Sequence, residues 1–245
     1  MTQSTDGQFH ELATYYDALN DWKDYRAETR RLESIVRSYG APKHASWLDV
    51  ACGTGRHLEF LGRGHPCMGV DASREMLRIA RRRLPRVELR LGDMRTFRLG
   101  RRFDVVSCLF GAVGHLRTVH DIRRAFANLA RHLNSGGVAL VEPWILSKDF
   151  RAGSVYLRTR QGPALALARM AFSARRGNRS RVHYHFLIGE RHRPVRYYEE
   201  VDEGLLLSRA QWLTLLENAG LEAHFLRRGL MPGRGLLVGV RREAT

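Results

Sequence analysis

Asp49-Val50-Ala51-Cys52-Gly53-Thr54-Gly55 is entered from the apolar run Ser46-Trp47-Leu48 and left by a helical pattern. Eighteen residues after Gly53, the second apolar run Cys67-Met68-Gly69-Val70 ends on Asp71. A strand, a glycine-rich turn, a helix and a second strand closing on a carboxylate form a unit that binds a nucleoside. Glycines let the backbone approach the ligand, and the acid takes two ribose hydroxyls.

The type of nucleoside follows from the details. A dinucleotide site asks for G-x-G-x-x-G, and Gly53-Thr54-Gly55-Arg56-His57-Leu58 lacks the third glycine. An acid four residues ahead of Gly53 suits a site that must hold an ammonium, so Asp49 and the loop amides match the amino acid end of S-adenosylmethionine. Gly92-Asp93-Met94 follows Val87-Glu88-Leu89-Arg90-Leu91, which puts Asp93 where a strand-end carboxylate meets the adenine amino group and Met94 over the ring. Acids also cap helices after strands, which would explain each of the three singly. Their coincidence with this loop favours a cofactor set of Asp49, Ala51, Gly53, Gly55, Asp71, Ala72, Asp93 and Met94.

These residues need elements to position them. Residues 9 to 38 read as helical, with Tyr15, Leu19, Trp22, Leu32, Ile35 and Val36 spaced among charges. From 46 to 141 strand and helix alternate. Runs 46–51, 67–71, 87–91, 103–109 and 137–142 are strand-like and 56–63, 73–84 and 119–133 helical, which implies a parallel sheet covered on both faces. Ser73 stands as a helix cap and Asn134-Ser135-Gly136-Gly137 reads as a helix stop. Beyond Glu142-Pro143-Trp144 the texture changes to β-like runs at 155–157, 168–172, 182–186 and 195–198, expected as an antiparallel sheet with one wet face. A helix over 208–219 ending at Gly220, then strands 222–228 and 235–241 joined through Gly233-Arg234-Gly235, close the chain. The expected division is a helical cap over 1–45, a Rossmann-like unit over 46–150 and 207–245, and an auxiliary sheet over 151–206.

Composition narrows the class of partner. No stretch reaches the ~18 apolar residues that cross a bilayer, and the polar start Met1 to Gln8 is unlike a signal peptide, so a cytoplasmic protein is expected. Cys52, Cys67 and Cys108 lack C-x-x-C spacing and read as reduced packing residues. A net charge of +16 ordinarily points to a polyanion. Lysine, however, occurs only at 23, 43 and 148 among 41 basic residues, an arginine skew expected of a GC-rich genome. The clusters Arg30-Arg31 and Arg81-Arg82-Arg83 fall on predicted helices, as solvated faces do. Aromatic residues interleaved with basic ones, the platform of a single-strand binder, occur mainly at Tyr184 to Tyr198. Nucleic acid is therefore not the favoured partner.

Taken in order, five phrases carry a resemblance: Leu48-Asp49-Val50-Ala51-Cys52-Gly53-Thr54-Gly55, Gly92-Asp93-Met94-Arg95, Val113-Gly114-His115-Leu116, Val141-Glu142-Pro143-Trp144 and Gly233-Arg234-Gly235-Leu236-Leu237-Val238-Gly239-Val240. The chain resembles class I S-adenosylmethionine-dependent methyltransferases, and more narrowly the N,N-dimethyltransferases of nucleotide-linked amino sugars such as desosamine and mycaminose. The first two phrases are common to many methyltransferases; the last three are narrower. The resemblance implies an α/β fold, with a Rossmann-like seven-stranded sheet whose last strand is antiparallel. An auxiliary antiparallel sheet inserted after the fifth strand would roof the substrate and often makes a dimer contact, so a homodimer is expected. It also implies S-adenosylmethionine as cofactor and a TDP-linked amino deoxysugar of antibiotic biosynthesis as substrate. Such enzymes carry Tyr-Asp and soon after it a further tyrosine that reaches the donor. Here Tyr15-Tyr16-Asp17 leads to Asn20 and Trp22, so Tyr16 or Asn20 takes that place.

Methyl transfer from a sulfonium is an in-line displacement, and positioning can supply ~7–11 kcal/mol of its barrier. An amine attacks only as the free base, so a proton acceptor helps. His115, after the fourth strand, is the leading candidate, or else it holds the turn Gly111-Ala112-Val113-Gly114. Glu142 at the end of the fifth strand either orients the amine or is structural, and Trp144 either stacks on the sugar or caps the core. A diphosphate calls for guanidinium groups. Arg234 in the closing hairpin and Arg196 beside Tyr197 are the candidates, with a solvated turn arginine as the other reading of Arg234. His183 and His185 share a strand face without a third ligand, so no metal is expected. Another small acceptor methylated at nitrogen or oxygen stands as the near alternative and RNA as the distant one. A degenerate nucleoside-binding module is disfavoured by intact Asp49, Gly53, Gly55, Asp71 and Asp93.

Overall fold

In the computed structural model, which describes residues 12–242, the alternating segment forms five parallel strands: β1 (Trp47–Val50), β2 (Cys67–Asp71), β3 (Glu88–Leu91), β4 (Phe103–Cys108) and β5 (Leu133–Val141). β10 (Leu221–Leu226) and β11 (Leu236–Arg241) complete the sheet, β11 antiparallel to both β5 and β10. The order β10-β11-β5-β4-β1-β2-β3 is the seven-stranded arrangement expected, with its last strand antiparallel. From β1 the chain steps outward to β3 and then returns to β4 on the other side of β1. The carboxyl ends of β1 and β4 flank that reversal, the place where open α/β sheets hold ligands.

The helices α2 (Tyr25–Ser38), α3 (Arg56–Leu61), α4 (Arg74–Arg83), α5 (Val119–Arg131) and α6 (Arg209–Glu217) cover the two faces. All but α3 start on a side-chain acceptor: Asp24, Ser73, Thr118 and Ser208 each take a backbone N–H of the first turn, and Gln211 answers Ser208 in a capping box. One core layer joins Leu48, Val70, Phe126, Leu129 and Trp212, and the other joins Leu32, Val36, Trp47, Val105 and Val238. Cys52 and Cys108 are buried thiols. Among the described residues no helix is long and apolar enough to cross a membrane.

Two local readings are corrected. The helix expected over 9–38, of which 9–11 lie outside the described residues, is broken into a 3-10 turn (Leu12–Tyr15), a short α1 (Tyr16–Leu19) and α2. At the break Trp22 is exposed while Lys23 is buried, the reverse of what a continuing amphipathic helix needs. The Lys23 Nζ is 2.6 Å from Glu28 Oε1, and Glu28 Oε2 is 2.8 Å from His57 Nε2, so a buried charge chain anchors the break to α3. Second, α5 ends before His132, and Asn134-Ser135-Gly136-Gly137 lies inside β5 instead of stopping a helix. Gly136 has φ +71° where the β4 and β5 registers shift, so the glycine pair marks a strand irregularity.

The later runs are longer than the sequence suggests and form a separate antiparallel sheet, β6 (Val155–Gln161), β7 (Leu165–Arg176), β8 (Arg179–Glu190) and β9 (Arg196–Leu205), paired in chain order. On its inner face Leu167, Phe186 and Ile188 pack against Leu12, Tyr15 and Leu19. The outer face is exposed but apolar where a polar one was expected, with Val155, Leu157, Met170, Phe172, Leu187 and Tyr197 in the open. Residues 12–24 run as a strap between the two sheets. Asp17 accepts from Thr54 Oγ1 at 2.6 Å and pairs with Arg83 at 2.5 Å, while Asp21 pairs with Arg160 of β6 at 2.7 Å.

Candidate active site

A cleft of about 860 Å³ opens at the carboxyl ends of β1 and β4, floored by the glycine loop and roofed by the strap and the inner face of the auxiliary sheet. At its floor Asp71 closes the loop: Oδ2 accepts the Gly53 N–H at 2.7 Å and Oδ1 the Ser73 N–H at 2.8 Å. Burial pushes the Asp71 carboxyl up, against the pull of these two amides. Each oxygen keeps lone-pair capacity for a further donor, so the acid can serve two hydroxyls. A Cβ at Gly53 would meet nothing within 4 Å, because the loop faces open space. Gly55 instead serves packing. It has φ +76°, and its missing Cβ would lie 2.6 Å from Leu84 Cδ1, so it lets α3 pack on α4.

Asp49 sits beneath the loop, 2% exposed, and accepts from Ser107 Oγ at 2.7 Å. Burial pushes its carboxyl up to about 6, opposed by the nearby His57 and Ser107. Ala51 and Phe110, just beyond the ends of β1 and β4, both line the cleft with positive φ, 57° and 56°. Non-glycine residues adopt this region only where the surroundings enforce it. At Phe110 the enforcing group is Glu142, whose Oε2 accepts the Phe110 N–H at 2.7 Å.

The sequence-derived candidates divide. Ala51, Gly53, Asp71, Ala72, Met94, Tyr16, His115, Trp144 and Arg234 all line the cleft. Glu142 does not: it is fully buried behind Phe110, and burial raises its carboxyl pKa despite Arg234 and Lys23 nearby. The structural reading of this acid therefore replaces the catalytic one. Asp93 stands between the cleft-lining residues Gly92 and Met94 and is gripped by Arg95, whose backbone N–H, Nε and Nη2 all donate to it. A carboxylate has about four acceptor sites, so the adenine contact expected of Asp93 would be shared with Arg95. Arg196 and Tyr197 are also corrected. Arg196 binds Glu190 and the Tyr15 hydroxyl, while Tyr197 is on the outer face beside His185, because alternation along β9 turns these neighbours to opposite sides.

Arg234 is no solvated turn arginine. Its guanidinium is 4.8 Å from the Trp144 ring centroid and 5.6 Å from that of Phe110, with Nη1 buried and lacking a hydrogen-bond partner among the described residues. Trp144 is held in turn by glycines, since a Cβ at Gly114 would come within 2.7 Å of its own Cβ. His115 ends the 3-10 turn Ala112–His115, with Nδ1 3.2 Å from Asp202 Oδ1. Burial lowers its pKa, but the bond and charge of Asp202, with Asp71 and Glu200, hold it above the ordinary histidine value. Burial keeps the half-buried Tyr16 phenol neutral, with Tyr25, Asp71 and Asp17 adding to the effect. Arg158, Arg169, Tyr184 and Asp202 complete the roof. Sequence reasoning assigns none of these a role, yet a signal exists for one: Arg169 interrupts the apolar inner stripe Leu165, Leu167, Ala171 of β7.

The floor suits S-adenosylmethionine: a loop open to the ligand, a carboxylate with two oxygens toward hydroxyls and a buried acid beneath. A family model described as a methyltransferase domain matches residues 48–137. The dTDP-3-amino-3,4,6-trideoxy-alpha-D-glucopyranose N,N-dimethyltransferase of Streptomyces venezuelae is 40% identical over 231 residues, which is 93% of this chain and 97% of the relative. The dTDP-3-amino-3,6-dideoxy-alpha-D-glucopyranose N,N-dimethyltransferase of Streptomyces fradiae is 38% identical, covering 94% and 91%. Among solved structures, an S-adenosylmethionine-bound amino pentose methyltransferase of calicheamicin biosynthesis from Micromonospora echinaspora superposes with a TM-score of 0.82 at 34% identity, covering 98% and 100%. The chain belongs to the S-adenosylmethionine-dependent methyltransferases, in the family of the dTDP-amino-sugar N,N-dimethyltransferases.

Proposed function

We propose that the protein N-methylates the amino group of a TDP-linked amino deoxysugar during antibiotic biosynthesis. The observation that carries this reading is the pairing, across one cleft, of the Asp71–Gly53 floor with a His115–Asp202 couple in the opposite wall. S-adenosylmethionine, when bound, supplies a methyl group on a sulfonium, open to displacement by a nucleophile in line with the carbon–sulfur bond. Asp71 orients the ribose, Asp49 places negative charge under the loop, and Ala51, Ala72 and Met94 shape the wall around the nucleoside. Asp202 holds the His115 Nδ1, which leaves Nε2 as the ring's basic atom for the proton of the substrate amine. Tyr16, a neutral phenol in the strap, offers a hydrogen bond near the reacting centre without bringing charge. Trp144, braced by Arg234, gives the sugar a flat apolar surface. Strap and auxiliary sheet exclude water from the line of transfer.

The test is mass-spectrometric detection of methyl transfer to TDP-linked 3-amino and 4-amino deoxysugars, with low-salt RNA as a parallel acceptor. Mass gains of one or two methyl groups on a sugar are expected; labelling of RNA alone would overturn the reading. The exposed apolar outer face of the auxiliary sheet supports a homodimer through that face. Sedimentation equilibrium should return twice the chain mass, falling to one chain mass on Leu157→Lys.

A further inference from the structure

Three strands of the auxiliary sheet distribute charge unevenly over the face that looks into the cleft. Arg158 of β6 and Arg169 of β7 are direct cross-strand partners, and both line the cleft. Like charges in this position oppose each other and weaken the sheet. Neither guanidinium has an ion pair or hydrogen bond with any described residue. The neighbouring Arg160, by contrast, is paired with Asp21, and Arg196 of β9 with Glu190. The two cleft arginines are nevertheless held in place by rings. The Arg158 guanidinium lies 4.4 Å from the Trp22 ring centroid and that of Arg169 lies 5.7 Å from the Tyr184 ring. A cation–π contact of this kind uses none of the guanidinium N–H groups in a hydrogen bond, so they stay available to a ligand.

The acids of the same face stand elsewhere. Arg169 is in register with Phe186 and Phe186 with Tyr198, whereas Glu200 and Asp202 lie two and four residues further along β9. At ~3.4 Å per residue, the row of the arginine pair is about 14 Å along the strands from the row of Asp202, the partner of His115. One end of the roof is therefore cationic without compensation, and the other is acidic beside the proton acceptor. A ligand matching that layout carries a compact double anion at one end and an amine at the other.

We propose that Arg158 and Arg169 form the diphosphate-binding site of the cleft, and thereby set its preference for nucleotide-linked over free amino sugars. The assignment rests on the proposed function for the identity of the ligand's other end, but the anion site itself does not. Two phosphates present paired oxygens at a spacing that two adjacent guanidinium forks can meet, and their charge removes the repulsion built into the strand pair. The same residues hold no part of the donor floor.

The experiment is calorimetric titration of the intact protein with dTDP, comparing wild type, Arg158→Gln and Arg169→Gln. S-adenosylmethionine titrations and melting temperatures are recorded in parallel, and Arg193→Gln at the exposed hairpin serves as the control. Losing one charge-assisted phosphate contact should weaken dTDP by about 10- to 100-fold. S-adenosylmethionine affinity should hold, and the melting temperature should hold or rise because a like-charge pair has been relieved. Undiminished dTDP binding in both variants would overturn the site, as would a fall in melting temperature with loss of both ligands, which marks a structural role. RNA bound in preference to dTDP, and released on either substitution, would overturn the ligand class.

Kinetics separate this inference from the reading it rests on. KM for a TDP-amino sugar should rise on Arg169→Gln, with a smaller effect on kcat. An unchanged KM with a working wild type would sink the diphosphate site alone. No methylated nucleotide sugar, together with dTDP binding lost on substitution, would sink the proposed substrate and leave the site standing.

Discussion

The donor side of the cleft draws mainly on one stretch, Asp49 to Ser73, with Met94 beside it, and its principal charge is answered by backbone: Asp71 takes the Gly53 and Ser73 amides. The roof gathers Tyr16, Arg158, Arg169, Tyr184 and Asp202 from segments far apart in the chain, and leaves two of its cations without acids among the described residues. A floor held by backbone is finished before any ligand arrives and suits a donor common to many methyltransferases. A roof made of side chains on an inserted sheet can be altered one residue at a time, without disturbing the donor. The difference teaches where acceptor choice resides.

Substitutions can break this division or sharpen it. His115→Ala should lower kcat/KM by about 10²- to 10⁴-fold, the contribution typical of a positioned acid or base. S-adenosylmethionine affinity, read by calorimetry, should not move; a matching loss of donor binding would erase the distinction between floor and roof. Asp71→Ala should act in the opposite sense. Losing hydrogen bonds to a charged acceptor costs about 1.5–3 kcal/mol each, so donor affinity should fall roughly 100-fold while dTDP still binds.

A smaller effect is expected of Asp202→Asn, read as a pH–rate profile. Asp202 holds the His115 pKa up against the opposing effect of burial, and a proton acceptor must be neutral, so the wild-type rate rises with pH through that raised value. Removing the carboxylate charge moves the rising limb to lower pH. The stability contribution of the pair has the opposite sense: it is present in full below the unfolded histidine pKa and is lost as pH rises through the folded one. An unmoved limb would remove His115 from the chemistry. Smallest of all, Ser208→Ala removes a cap on α6, remote from both halves. It should cost ~1 kcal/mol, or about 2–4 °C in melting temperature, with kcat and both affinities unchanged.

What can be read from the sequence follows the same line. The loop Asp49–Gly55 and its acid Asp71 are a local pattern whose meaning depends on a strand, a turn and a helix in succession, and apolar periodicity supplies those directly. The parallel strands and the cap at Ser73 are legible for that reason. Strand-end position does not reveal that Arg95, two residues on, also binds the Asp93 carboxylate. Glu142 looks catalytic in the sequence because its burial behind Phe110 depends on packing between β4 and β5. Arg196 and Tyr197 stand out by composition, though the period of two already puts them on opposite faces. Arg158 and Arg169 escape notice because their meeting is a matter of register across a hairpin. Trp22 and Lys23 hide the break before α2, since a buried lysine reads as a solvated one until Glu28 is seen beside it.

The strap adds a consequence for the order of events. Asp17 fastens it to Thr54 and Arg83 below, while Leu12, Tyr15 and Leu19 fasten it to the sheet above, so one segment is a wall for both ligands. Whatever free energy the donor spends or gains in settling that wall is felt by the acceptor, and linkage requires the same factor in both directions. Any coupling between the two substrates would thus be reciprocal, and Asp17 is the residue that ties their shared wall to the donor loop.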